Sequence, residues 1–221
     1  MRRKAPVLLA VLLALSACSD VRRARRAAIS AVYDPTSGRL VRLAHDSNIN
    51  GKPDTWTAMN GATPISSTAD RNEDGRIDRW EYYDAAGKLT KVGFSRKSGE
   101  TPDAWAYAGP GGGIDRIETS STGDAARIDR WEIYDASQLS PANAPDNPGT
   151  LLRVEEDTNG DGRADKWERY TAGMVSSVEF DENHDGRPDR RLTYKDSELT
   201  LIETSPDASG AYQKQIGIGR R

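Results

Sequence analysis

The pattern D-x-N-x-D/N-G-x-x-D occurs four times in this chain, at Asp46 to Asp54, Asp70 to Asp78, Asp157 to Asp165 and Asp181 to Asp189. Each copy has to form a tight turn, because Asx side chains bond their own backbone and glycine takes positive φ without a steric penalty. Each copy also places oxygens at alternate positions, as a hard cation requires: side chains at positions 1, 3 and 5 point inward and position 7 gives a backbone carbonyl. The candidate calcium ligands are therefore Asp46, Asn48, Asn50 and Asp54; Asp70, Asn72, Asp74, the Arg76 carbonyl and Asp78; Asp157, Asn159, Asp161, the Arg163 carbonyl and Asp165; and Asp181, Asn183, Asp185, the Arg187 carbonyl and Asp189. The first copy is the poorest in charge, since Asn48 and Asn50 leave only Asp46 as a carboxylate before Asp54. Turns alone would not need three oxygens spaced by two residues and then a glycine, so up to four Ca²⁺ sites are expected.

The loops belong to a larger repeat. Trp56, Trp80, Trp105, Trp131 and Trp167 follow one another at intervals of 24, 25, 26 and 36 residues, and Arg191 takes the same place 24 residues further on. Periods of this size indicate an array of one supersecondary unit. In Asp78 to Asp84, period-two alternation puts Trp80 and Tyr82 on one face and Arg79, Glu81 and Tyr83 on the other, which reads as a strand. Asp84 to Lys88 turns the chain, and Leu89, Val92 and Phe94 mark the returning strand. Its counterparts carry Leu40 and Leu43, Ile114 and Ile117, Leu152 and Val154, and Val175 and Val178. The glycine spacing leaves no room for helices. The expected fold is all-β: an antiparallel meander of about 24-residue β-hairpin repeats, six to seven in number, forming an elongated single sheet or a solenoid-like array over residues 29 to 216. Gln138 to Gly149, with three prolines, accounts for the long interval as an inserted loop, and residues 217 to 221 form a tail.

Residues 1 to 17 read as a signal peptide, with Arg2, Arg3 and Lys4 before an apolar run from Val7 to Leu15 that is too short to span a bilayer. Cys18 is the only cysteine, so an intramolecular disulfide is excluded. Residues 18 to 28 continue with Arg22, Arg23, Arg25 and Arg26, a basic linker suited to anionic headgroups. Loss of residues 1 to 17 takes the formal net charge from −3 to −6, which disfavours a nucleic-acid partner. Apolar content of 36% is little for a thick core and fits a thin, extended repeat.

Three resemblances rest on these residues. Leu15-Ser16-Ala17-Cys18 resembles the lipobox of bacterial lipoproteins without departure, which implies cleavage before Cys18, its diacylation and acylation of the new terminus, palmitate included. Ser19 stands where inner-membrane retention uses aspartate, which implies outer-membrane delivery in a diderm cell. The loops resemble those of EF-hand, thrombospondin type 3 and integrin-type repeat proteins. The W-x-x-Y-D-x-x-G-K-L strands resemble MORN-type β-hairpin repeats.

Asp70 to Glu81 and Asp157 to Glu168 even match the full EF-hand expression, but a strand follows where that motif needs a helix. Glu132 also persists in the unit where Ser121, Gly123 and Ala125 replace the ligands, so Glu81 and Glu168 are read as partners for basic residues on the neighbouring strand. Asp103 and Asp129 persist likewise, so the position-9 aspartates have a structural duty besides any ligation.

Catalysis has little support: only His45 and His184 are present, and no nucleophile motif accompanies them. The expected function is a membrane-anchored calcium-binding repeat lipoprotein, structural or interactive, at the cell envelope, with an unidentified protein or glycan partner. The alternative is carbohydrate or peptidoglycan binding by an aromatic stripe of Trp80, Tyr82, Trp105, Tyr107, Trp131, Tyr134, Trp167 and Tyr170, against the expectation that these rings form the core. An envelope hydrolase is the least supported reading.

Overall fold

The computed structural model describes residues 28–97, 99–124, 126–137 and 148–219. The signal peptide, Cys18, the arginine linker and most of the proline-rich insertion lie outside these residues. The described chain is all-β, without helices, and forms one open sheet of fifteen antiparallel strands in which order in the sheet equals order in the sequence. The strands are β1 (Ile29–Tyr33), β2 (Leu40–His45), β3 (Thr55–Asn60), β4 (Thr63–Ala69) and β5 (Arg79–Tyr83). Then follow β6 (Leu89–Phe94), β7 (Ala104–Ala108), β8 (Ile114–Thr119), β9 (Arg130–Asp135) and β10 (Thr150–Glu156). The last are β11 (Lys166–Thr171), β12 (Met174–Phe180), β13 (Arg190–Lys195), β14 (Glu198–Pro206) and β15 (Tyr212–Gly217). The expected meander of hairpins is thus the observed fold.

Connections alternate in kind. The tight turns up to β14 all lie on one long side of the sheet, and each of the seven strand pairs joined on that side, β9–β10 with its long insertion among them, carries a register shift near its connected ends. The Asp-rich loops all lie on the opposite side, and the six pairs they join run in unbroken register. An extra residue in a hairpin adds local twist, so twist enters from the turn side while the loop side stays regular. Strands contact only their sequence neighbours, so the described residues form no second layer.

A single layer changes what a core can be. On one face, the register runs Trp56, Thr68, Trp80, Gly93, Trp105, Glu118, Trp131, Glu155, Trp167, Glu179, Arg191. All five tryptophans share this line, and all are half-buried. A Cβ on Gly93 would lie 2.8 Å from Trp105 Cζ3, so the indole occupies the space that a side chain there would need. The other face runs Glu81, Val92, Ala106, Ile117, Glu132, Val154, Glu168, Val178. There the best-buried apolar side chains are found, with Val154 at 0% and Val92 at 3% exposure. This corrects the expectation that the aromatics form the core: among the described residues no second layer packs over either face, and the apolar side chains that neighbours cover best are small aliphatic ones.

The covering groups are polar. Arg79 and the Tyr83 hydroxyl both donate to Glu81, each at 2.6 Å. Arg130 and Tyr134 do the same to Glu132, as do Lys166, at 2.7 Å, and Tyr170, at 2.6 Å, to Glu168. Each chain runs along one strand at i, i+2, i+4, and its glutamate stands in register beside Val92, Val154 or Val178, where long side chains with apolar stems can shield an aliphatic neighbour. The glutamates' basic partners therefore sit two residues earlier on the same strand, not on the neighbouring strand as expected. Neighbouring strands add the Arg130–Glu156 and Lys166–Glu156 pairs, the latter at 2.8 Å. The same chains place Tyr134 and Tyr170 on the face opposite Trp131 and Trp167, so the proposed eight-ring stripe is not continuous: a separation of three residues changes face in a strand.

Burial and the hydrogen bond to Glu168 raise the Tyr170 hydroxyl from its ordinary 10.0 to about 12. The folded state therefore holds this proton more tightly than the unfolded one. The resulting stabilisation is complete below pH 10 and is lost as pH climbs through about 12. Denaturant midpoints should fall over that window, and Tyr170→Phe should flatten the fall; identical pH profiles for the two proteins would contradict it.

Candidate metal-binding loops

Beside the short β14–β15 turn, six loops share the loop side: Asp46–Asp54, Asp70–Asp78, Ser95–Asp103, Ser120–Asp129, Asp157–Asp165 and Asp181–Asp189, numbered one to six below. The sheet ladder continues into them. The position-1 N–H donates to the last carbonyl of the preceding loop, as in Asp70 to Asp54 at 2.8 Å, Asp157 to Asp129 at 2.9 Å and Asp181 to Asp165 at 2.8 Å. Successive loops are thereby held two strands apart, roughly 10 Å.

The four motif loops fold alike. The first aspartate is buried in each, at 6, 8, 6 and 4% exposure for Asp46, Asp70, Asp157 and Asp181. One of its oxygens accepts the N–H of the position-6 glycine, at 2.7, 2.9, 2.8 and 2.7 Å. Those glycines have φ of 93, 91, 90 and 90°, where a side chain would be strained. Oδ1 of Asn48, Asn72, Asn159 and Asn183 accepts the N–H of position 5. Oδ1 of Asn50, Asp74, Asp161 and Asp185 accepts the N–H of residues 52, Arg76, Arg163 and Arg187. The side chains read as ligands at positions 1, 3 and 5 are thus each tied to the backbone of their own loop.

The last aspartate closes each loop. Asp54, Asp78, Asp165 and Asp189 accept backbone N–H groups from the second residue, and all but Asp54 also from the third. Asp103 and Asp129 do the same with Arg96 and Ser121, which explains why they persist where the motif is lost. Burial alone would raise the Asp54 carboxyl, but hydrogen bonds from Ser47 and Thr55 outweigh it and hold the group below its ordinary range.

Does a cation suit these loops? Asp70 Oδ1 is buried without a hydrogen-bond partner, as an oxygen reserved for another ligand would be. Asp103 Oδ2 is also unpartnered, but there Oδ1 meets Arg96 Nε at 3.0 Å. Among the described residues no three His, Cys, Asp or Glu side chains converge on one point, although loops two, five and six each carry aspartates at positions 1, 5 and 9; any site would have to add amide and main-chain oxygens.

The two degenerate loops supply the contrast. In the third, the Arg96 guanidinium bonds Asp103 and reaches the Ser120 carbonyl at 2.7 Å, while Lys97 Nζ donates to the Ser121 carbonyl at 2.8 Å. Arg127, from the fourth loop, lies against Gly160 of the fifth. Basic side chains thus stand among carbonyl and carboxylate oxygens where the motif is lost. The fourth loop has ten residues, so its positions 1, 3 and 5 are Ser120, Thr122 and Asp124; counting back from Asp129 misplaces them at Ser121, Gly123 and Ala125. The basic substitutes were visible as residues, but nothing in one loop's sequence says that a lysine will reach the next.

No protein-family profile and no curated protein matches this chain. Among solved structures, an S. aureus TarM mutant in complex with fondaparinux, alpha-GlcNAc-glycerol and UDP aligns over 48% of this chain and 22% of its own, at 9% identity and a TM-score of 0.36. A TcdB2-TccC3 structure aligns over 80% of this chain and 12% of its own, at 14% identity and a TM-score of 0.25. This chain spans less than a quarter of either, and likeness at that level carries no argument about its role.

Proposed function

We propose that this chain is a lipid-anchored envelope protein whose ribbon-like sheet is braced along one side by calcium. What supports this reading is a contrast between loops: those with the full motif hold two or three aspartates each, in loop two with the Oδ1 of Asp70 buried and unpartnered, whereas the third, which lacks the motif, holds Arg96 and Lys97 against carboxylate and carbonyl oxygens. Both arrangements answer one need, a positive charge among buried oxygens. The four motif loops carry eleven aspartates, whose mutual repulsion four Ca²⁺ ions would offset. Dissociation constants on the order of 10⁻⁴ to 10⁻³ M are expected, as in extracellular modules. The ribbon then serves as a calcium-stiffened structural or interaction module held to the membrane through Cys18.

Equilibrium dialysis of the full chain against radioactive calcium tests the metal. Up to four bound ions, falling when Asp74, Asp161 and Asp185 are changed to alanine, support the reading; no uptake at millimolar calcium ends it. Labelling with radioactive palmitate, abolished in Cys18→Ser, tests the anchor.

Carbohydrate binding stays as a second reading because five tryptophans line one face in a single register and the Trp105 ring packs closely against Gly93. Peptidoglycan fragments should then shift tryptophan emission, an effect that Trp105→Ala should reduce.

A further inference from the structure

The first loop is the weakest of the four in its own ligands, yet the structure gives it a carboxylate from elsewhere. Glu73, the fourth residue of the second loop, has φ 58° and directs its carboxylate back to the first loop. One oxygen accepts Nδ2 of Asn48 and the other accepts Nδ2 of Asn50 at 2.7 Å. The same two amides use Oδ1 within their own loop, accepting the N–H of Asn50 at 3.1 Å and of residue 52 at 2.9 Å. Glu73 therefore fixes both amide planes, amino groups outward and carbonyl oxygens inward, and adds the negative charge that Asn48 and Asn50 lack. The second loop carries its own sign of a missing ligand, the buried and unpartnered Oδ1 of Asp70, which is 8% exposed. A second instance of the geometry exists: His184, fourth in the sixth loop with φ 61°, meets Asn159 of the fifth at 2.9 Å.

We infer that loops one and two form a single two-cation unit in which Glu73 is the positioning residue for the first cation. The inference rests on the calcium reading above. Groups that orient metal ligands from outside the ligand set change affinity about 10- to 100-fold when removed, so the first loop should bind calcium only weakly without Glu73.

Calorimetric titration of calcium into the metal-stripped full chain tests this, the unmodified protein being titrated first. Glu73→Ala should weaken one site at least about tenfold and leave the others unchanged, with the far-ultraviolet circular dichroism preserved. Asn50→Asp placed in the Glu73→Ala background should restore the weakened site by returning the charge inside the loop. An unchanged titration in Glu73→Ala overturns the positioning role alone, as does failure of Asn50→Asp to restore the site. No calcium uptake by the unmodified protein overturns both this inference and the calcium reading.

Discussion

In excess EDTA the protein should melt on the order of 10 to 20 °C lower than in 5 mM calcium. The magnitude follows from mass action. A site with a dissociation constant of about 0.5 mM contributes about 1.4 kcal/mol at that concentration, and four sites give roughly 5 to 6 kcal/mol. For a chain of this size each kcal/mol moves the midpoint by about 2 to 4 °C. Changing Asp74, Asp161 and Asp185 to alanine should remove most of the difference. The loss should also be uneven. Arg96 and Lys97 already supply positive charge to loops three and four, so amides of β7 to β9 should keep their hydrogen-exchange protection in EDTA while β3 and β13 lose theirs. Equal midpoints with and without calcium would mean that the loops are turns only.

The second large effect is expected at Val154, which has no exposed surface and lies in register between Glu132 and Glu168. Val154→Asp would bury an uncompensated charge beside two carboxylates and should cost about 3 kcal/mol or more. Leu152, on the same strand but 45% exposed, is the control: Leu152→Asp should change stability by no more than about 0.5 kcal/mol. Because each strand touches only its sequence neighbours, the damage should not spread evenly. Chemical denaturation of Val154→Asp should resolve two transitions, one for the region around β10 and one for the more distant strands. A single sharp transition would show coupling beyond neighbouring strands.

Much of this architecture was legible in the chain because the decisive signals are local. A D-x-N-x-D-G loop bends through its own side chains, and the alternation from Asp78 to Asp84 contains the strand that follows, so hairpin, period and all-β meander could be read without a partner. The faces were harder. Which one is better buried depends on the lack of a second layer over the described strands, and residue size alone points to tryptophan although Val92 and Val154 are the buried side chains. Tyr134 and Tyr170 were grouped with the tryptophans by proximity in sequence, although a strand's parity sends them to the opposite face. Contacts between loops were illegible for another reason. Glu73 meets Asn48, and Arg96 meets the Ser120 carbonyl, across some 24 residues. Those distances are set by strand register and a left-handed fourth residue, neither of which a motif in one loop encodes.

The odd number of strands bears on how such a ribbon ends. With fifteen antiparallel strands, β1 and β15 run in the same direction. A second copy displaced along the ribbon would therefore offer its first strand parallel to the last strand of the copy before it, breaking the alternation that every internal pair obeys, in a pairing slightly weaker per residue. Unlimited growth by translation is thus disfavoured by parity alone. Lys214 and Gly217 on β15 add the charge and weak propensity that discourage edge pairing. Two copies can continue the antiparallel pattern only through a two-fold axis, β1 to β1 or β15 to β15. Among the described residues, an odd strand count thus decides the symmetry of any growth: translation meets a parallel seam, whereas an antiparallel seam needs a two-fold axis at each edge.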